Sequence, residues 1–210
     1  MKKILIIFCL FFFIVSTPLR AETEDTQVLL RGFSHLYPAI DHVYTGLFPG
    51  IALSKRTEIF PMLAVNISLT DTYFLEACLG ASQINDMDGG LAQHSIGLGH
   101  YDAIEKLEDI YYYFSLSLRN FNATYISSSA LVLEALLEQK LNKVYFGIGI
   151  DLISQDYKIS SGGKYSADKD RIYHAAMVLH ARTPFLNLRA SGLPGEINVN
   201  FSVNLNMEKK

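Results

Sequence analysis

Tryptophan is absent, cysteine occurs twice, proline six times, and after Val15 no apolar run reaches the length of a membrane-spanning helix. Each shortage excludes something. Cys9 falls inside an N-terminal hydrophobic run, so Cys78 is the one thiol of the rest of the chain and no internal disulfide framework can form. Without another run of about 18 apolar residues, a bundle of spanning helices is excluded, and any insertion in lipid has to be as a closed barrel. Charge of one sign is also lacking. The 18 Lys and Arg nearly match the 21 Asp and Glu, which leaves no basic patch for a nucleic acid.

What the chain does have is apolar surface: half of its 210 residues are hydrophobic and 14 are glycine, enough for one domain with a large buried or lipid-facing area. Lys2 and Lys3 precede the apolar stretch Ile4 to Val15, followed by Pro18 and the small residue Ala21. That order of charge, grease and small residue reads as a secretory signal peptide over residues 1–21. The stretch is too short for the roughly 20 residues of a membrane anchor. Residues 22–41 follow as a lead-in segment, acidic at Glu22, Glu24 and Asp25 and without steady period. From His42 to Met207 the texture is that of strands punctuated by Gly, Pro, Asn and Asp.

The clearest strand is the last, Glu196 to Met207, where Ile197, Val199, Phe201, Val203 and Leu205 alternate with Asn198, Asn200, Ser202, Asn204 and Asn206. A polar face turned to bulk water usually carries Lys, Glu, Asp or Arg. Here it carries amides and a hydroxyl, as expected of a polar interior behind an apolar exterior. Leu63 to Leu69 and Tyr73 to Leu79 read as a hairpin around Asp71, and Ala92 to Tyr101 as a glycine-rich strand. Ile110 to Phe121, Thr124 to Leu137 and Val144 to Leu152 continue the series. Within it, Ser129 to Glu138 also fits a short amphipathic helix with a serine cap. Val43 to Leu53, interrupted by Pro49-Gly50, is expected to be a strand bulged at the proline. Arg171 to Ala181 and Phe185 to Ser191 complete ten candidate strands, with Ser154 to Asp170 as the longest polar loop.

If both termini lie on one side, the two longest connections, 83–91 and 154–170, fall together on the other, as extracellular loops opposite short periplasmic turns would. Tyr111 to Tyr113 open a strand that Phe121 ends. Nine residues at about 3.3 Å each and about 40° of tilt span about 23 Å along the membrane normal, the height expected between two aromatic girdles.

In these features the chain resembles the small outer-membrane β-barrel proteins of bacteria with two membranes. The resemblance covers nearly the whole chain after residues 1–21 and is one of architecture, without a family motif. It implies an all-β fold, an antiparallel up-and-down transmembrane barrel of 8 to 10 strands, with outer-membrane lipids as its surroundings. It also implies a terminal aromatic residue. This chain departs there: it runs on to Met207-Glu208-Lys209-Lys210, and Phe201 is the nearest aromatic.

Motifs for chemistry are sparse. Gly97 to Gly99 and Gly147 to Gly149 lie within strands and read as packing glycines, not phosphate cradles. His94 and Ser95 are adjacent in a strand and so face opposite ways, which rules them out as a base and nucleophile for each other. His174 and His180 share a face but stand about 20 Å apart, too far for one metal. Asn122-Ala123-Thr124 matches a glycosylation triplet, which reads as coincidence in a bacterial export context. No catalytic residue, cofactor or metal site is expected.

The informative charges are Glu76, Arg119, Glu134, Asp151 and Arg189, which interrupt strand patterns and by parity fall on the small polar face. Charges away from bulk water need partners. Three acids and two bases on one inner wall therefore predict a paired network that fills a narrow lumen. The expected function is a structural or surface-interaction barrel in the outer membrane, with its loops open to an extracellular or envelope partner. The alternatives are a narrow small-solute pore, a soluble periplasmic lipocalin-like ligand-binding barrel, and an outer-membrane lipid-modifying enzyme.

Overall fold

The computed structural model describes residues 44–53, 59–83, 90–123, 126–161, 164–165, 171–193, 196–205 and 208–209. The expected signal peptide and lead-in segment lie outside the described residues. All regular structure among those described is strand. Ten strands form the wall: β1 (Tyr44–Leu53), β2 (Phe60–Ser68), β3 (Tyr73–Gln83), β4 (Gly90–Ala103), β5 (Ile110–Ala123), β6 (Ile126–Leu141), β7 (Val144–Ser161), β9 (Arg171–Arg182), β10 (Leu186–Leu193) and β11 (Glu196–Val203). Two short pieces lie beside them: β8 (Lys164–Tyr165) pairs with β7, and β12 (Glu208–Lys209) pairs with the start of β1.

Each wall strand pairs antiparallel with the next, and β11 returns to β1 through Gly50↔Ser202 to Leu53↔Val199. The sheet thereby closes as an up-and-down barrel and leaves no long edge with unpaired N–H and C=O groups. The turns 69–72, 104–109, 142–143 and 183–185 lie at one end, here called the turn end. The other end, called the loop end, is where Leu53 and Phe60, Gln83 and Gly90, Ala123 and Ile126, and Leu193 and Glu196 end and begin successive strands. At the turn end Asp109 and Asn142 adopt φ of 59° and 61°, which short polar side chains tolerate better than branched ones.

Alternation fixes which way each side chain points. On β11 Ile197, Phe201 and Val203 are exposed, while Asn198, Asn200 and Ser202 are buried. The same inversion recurs around the ring. Leu63, Leu79, Leu98, Leu116 and Leu133 are between 43% and 64% exposed on the outer wall, whereas Glu76, Arg119, Glu134 and Asp151 are 0% exposed inside.

Several boundaries differ from the sequence reading. Residues 154–161, read as part of a loop, continue β7; 138–141 and Arg182, beyond the strand ends expected at Leu137 and Ala181, belong to β6 and β9. Ser129 to Glu138 is strand throughout, because its register with β5 and β7 is unbroken. Pro49 causes no bulge against β2, where pairing runs evenly from Gly46↔Asn66 to Ala52↔Phe60. The ladder to β11 begins only at Gly50, so the proline adjoins the end of that ladder and interrupts nothing. The girdle estimate needs correcting too: Tyr113 and Phe121 are buried in the lumen. The exposed outer aromatics at the turn end are instead Tyr73, Phe114, Phe146 and Phe185.

The lumen is filled in layers. Toward the loop end Phe48, Phe60, Met62, Leu91, Phe121 and Tyr157 form an apolar cluster that also holds the free thiol of Cys78. Phe74, Tyr101, Tyr113, Leu136 and Val178 form a second cluster toward the turn end. Between them lies the charged layer.

Candidate lumen charge network

Ten strands about 4.8 Å apart, tilted about 40°, give a backbone radius of about 10 Å, narrow enough for long side chains to reach past their neighbouring strands. Two arginines converge in this way on one pair of acids. Glu134 on β6 and Asp151 on β7 are cross-strand partners with both carboxylates turned inward and fully buried. Arg189, from β10, reaches both: its Nη1 donates to Glu134 Oε1 and its Nη2 donates to Asp151 Oδ2 at 2.8 Å. Arg119, from β5, approaches the same pair from another side, 3.6 Å from Glu134 Oε2 and 4.0 Å from Asp151 Oδ2. Its Nε donates to Ser117 Oγ at 3.1 Å. Four of the five sequence-selected residues therefore form one cross-braced cluster in which each guanidinium faces two carboxylates.

Glu76, the fifth, is also fully buried, and accepts from the Tyr113 hydroxyl on Oε2 at 3.4 Å. A small residue opposite makes room for it. A Cβ added to Gly97, its neighbour on β4, would stand 2.7 Å from Glu76 Oε1. Gly99 does the same for the Phe74 ring, 2.1 Å from where a Cβ would be.

A second ionic cluster near the turn end was missed by sequence reasoning. Glu138 accepts from Arg182 Nε at 3.1 Å and Nη2 at 2.9 Å through the same carboxylate oxygen, and its other oxygen lies 2.9 Å from His180 Nδ1. Arg182 also donates to the Tyr101 hydroxyl at 2.6 Å and stacks its guanidinium 3.6 Å from the centre of the Tyr145 ring. Tyr101 in turn stacks on Tyr111, with ring centroids 5.4 Å apart and planes 4° from parallel. A signal for this cluster was present, since Glu138 shares the parity of Glu134, and Arg182 that of His180.

The remaining histidines behave differently. His94 faces outward and Ser95 inward, so they are not a catalytic pair. His174 and His180 both face inward, and His180 is committed to Glu138. Among the described residues no three His, Cys, Asp or Glu side chains are grouped to hold a metal ion. Both amide atoms of Gln93 and of Asn200 are buried without a protein hydrogen-bond partner, which leaves them able to bond to water.

In chemical terms the lumen offers fixed, mutually neutralising charge between two plugs of aromatic side chains. Such an arrangement ties β6 and β7 to β5 and β10 through the lumen. No family model, curated protein or solved structure matches this chain.

Proposed function

We propose that the chain is an integral outer-membrane β-barrel with a lumen shut by its own side chains, acting as a structural or surface-interaction protein through its outer wall and loops. The observation that carries this reading is the inverted polarity. Leucines and isoleucines dominate the exposed outer wall, whereas arginines, carboxylates and amides lie inside, between two layers of aromatic side chains. In water, an exposed apolar girdle of this extent would far exceed the few hundred Å² that soluble monomers usually leave uncovered. In lipid it is the required exterior, and a ring with every strand paired meets the other requirement, that no backbone group be left unsatisfied.

The rival readings fit less well. A lipocalin-like binder needs an apolar interior cavity, and here the middle of the lumen is ionic. A small-solute pore needs a continuous polar path, and here Phe48, Phe60, Phe121 and Tyr157 fill the loop end while Tyr101, Tyr113 and Arg182 fill the turn end. In the proposed orientation the short turns are periplasmic and the loop end is extracellular.

Fractionation tests the proposal. Protein that leaves cell envelopes only with detergent, and that in planar bilayers shows little conductance, is the expected result. Release with soluble periplasmic contents would refute membrane insertion, and a large steady conductance would refute the closed lumen.

A further inference from the structure

The outer wall differs in height around the ring. β5, β6 and β7 have 14, 16 and 18 residues, whereas β1, β2, β10 and β11 have 8 to 10. On this tall side the outward face changes chemistry as it approaches the loop end. Along β5 it runs Phe114, Leu116, Leu118 and then Asn120 and Asn122; along β6, in the same direction in space, it runs Leu133, Leu131 and then Ser129 and Ser127. On β7, Leu152 gives way to Ser154, Asp156 and Lys158.

Strand register turns these positions into rows. His94 lies opposite Asn120, Asn120 opposite Ser129, Ser129 opposite Asp156, and Asp156 opposite Arg171. Five outward polar side chains thus cross five strands side by side. Ser129 Oγ donates to Asn120 Oδ1 at 2.5 Å, and Arg171 forks onto Asp156 at 2.7 and 3.0 Å. A second row, Asn122, Ser127 and Lys158, lies one step nearer the loops.

These rows line a groove of about 470 Å³. On the same wall, toward the turn end, lies a second groove of about 410 Å³ formed by Leu116, Leu131, Leu133, Leu152 and Tyr173. The two are neighbours: Ser129 and Leu131 are successive outward residues of β6, about 7 Å apart along the strand. Polar groove above, apolar groove below, on one sheet face, match the two ends of a single lipid.

We infer that the two grooves are one site for a glycolipid, with its saccharide headgroup against the His94–Asn120–Ser129–Asp156 row and an acyl chain along Leu131, Leu133 and Leu152. The inference rests on the membrane reading above. A saccharide fits better than a small zwitterionic headgroup, because the two rows together offer the amides of Asn120 and Asn122 and the hydroxyls of Ser127 and Ser129 to match sugar hydroxyls. Arg171 is already held by Asp156, leaving Lys158 and His94 for a phosphate on the sugar. The site binds and does not hydrolyse: Ser129 and His94 stand two strands, about 10 Å, apart with Asn120 between them.

The test uses the full-length folded barrel in detergent, mixed with phosphatidylcholine and a minor fraction of lipid A, an acylated and phosphorylated glucosamine disaccharide. Lipids retained on the protein are then counted by native mass spectrometry. Retention of lipid A over phosphatidylcholine is expected, with at least about a tenfold loss in N120L/S129L, which removes two polar partners. Leu63→Ala, on the opposite outer wall, is expected to change nothing. Heat-shifted gel mobility establishes that each variant is folded. Equal retention of both lipids, or undiminished retention in folded N120L/S129L, overturns the site and leaves the membrane reading standing. Displacement of lipid A by the deacylated phosphorylated disaccharide at equal concentration overturns the apolar half. Recovery of the native protein in the soluble fraction overturns the membrane reading itself, and the site with it.

Discussion

Replacing Arg189 by alanine is the sharpest probe of the lumen. Arg189 bonds directly to both Glu134 and Asp151, and those two carboxylates come from cross-strand partners whose Cβ atoms are typically about 5 Å apart. At that separation and an effective dielectric near 20, two unit negative charges repel by about 3 kcal/mol. Arg119 remains, but at 3.6 and 4.0 Å it is a looser partner than the one removed. Breaking a buried pair generally costs about 3–5 kcal/mol. Because Arg119 still faces both carboxylates, this case falls at the lower end, about 3 kcal/mol.

The assay is reversible urea unfolding of the barrel in lipid vesicles, followed by the gel mobility shift that separates folded from heated protein. Restoring balance should restore stability: adding Asp151→Asn to Arg189→Ala removes the repulsion and should recover at least about 1 kcal/mol, a coupling that independent sites lack. If Arg189→Ala stays within about 0.5 kcal/mol of the parent, the range of an ordinary surface change, the network does not brace the wall and the reasoning fails.

Arg119→Ala, which strands the same carboxylates from the other side, should give a barrel that loses its heat resistance or leaks in planar bilayers, by a smaller margin than Arg189→Ala because its contacts are longer. Gly99→Val should destabilise by about 2 kcal/mol or more, measured in the same urea titration, since even its Cβ would meet the Phe74 ring at 2.1 Å. Arg182→Ala should raise conductance, read in single-channel recordings, by opening the turn end where Arg182 bridges Glu138 and Tyr101. Lys158→Cys should react with a membrane-impermeant maleimide on intact cells and Glu105→Cys only after the outer membrane is broken; the reverse pattern would invert the orientation.

Strand number and closure were legible because each wall strand keeps period two over most of its length, and because Gly, Asn and Asp mark the turns. The five inward charges were legible for the same reason: one parity test assigns a face to every position once a strand is framed. Framing is where the reading stopped short. Glu138 is followed by Gln139 and Lys140, and Arg182 by Thr183 and Pro184. Such polar and proline-containing runs look like turns, so the second ionic cluster was cut off from the strands that carry it. Which charge meets which was beyond any pattern. Arg189 and Glu134 are 55 positions apart, and their meeting depends on how far the closed ring lets two side chains reach across it.

The error at Phe121 and the misread loop from Ser154 have a common physical origin. Apolar out and polar in describes the middle of the strands, but toward the loop end of β4 to β7 the outer face turns polar and large apolar side chains join Gln93, Ser128 and Gln155 inside. There Leu91, Phe121, Tyr157 and Ile153 are buried inside, while His94, Asn122, Ser129 and Lys158 face out. The parity of the strand never changes; what changes is which parity is greasy. A strand surrounded by one solvent has no reason to exchange its faces midway, because the outer face meets the same medium at every height. A strand that leaves lipid for water does have one: its outer face must turn polar at the boundary, and its inner face then becomes the place for apolar side chains, as in any protein in water. The exchange falls between Leu118 and Asn120 on β5 and between Leu131 and Ser129 on β6, at matched heights on neighbouring strands. That shared height is the upper boundary of the apolar exterior in the proposed membrane, and the polar row seated on it is where a lipid headgroup would meet this wall.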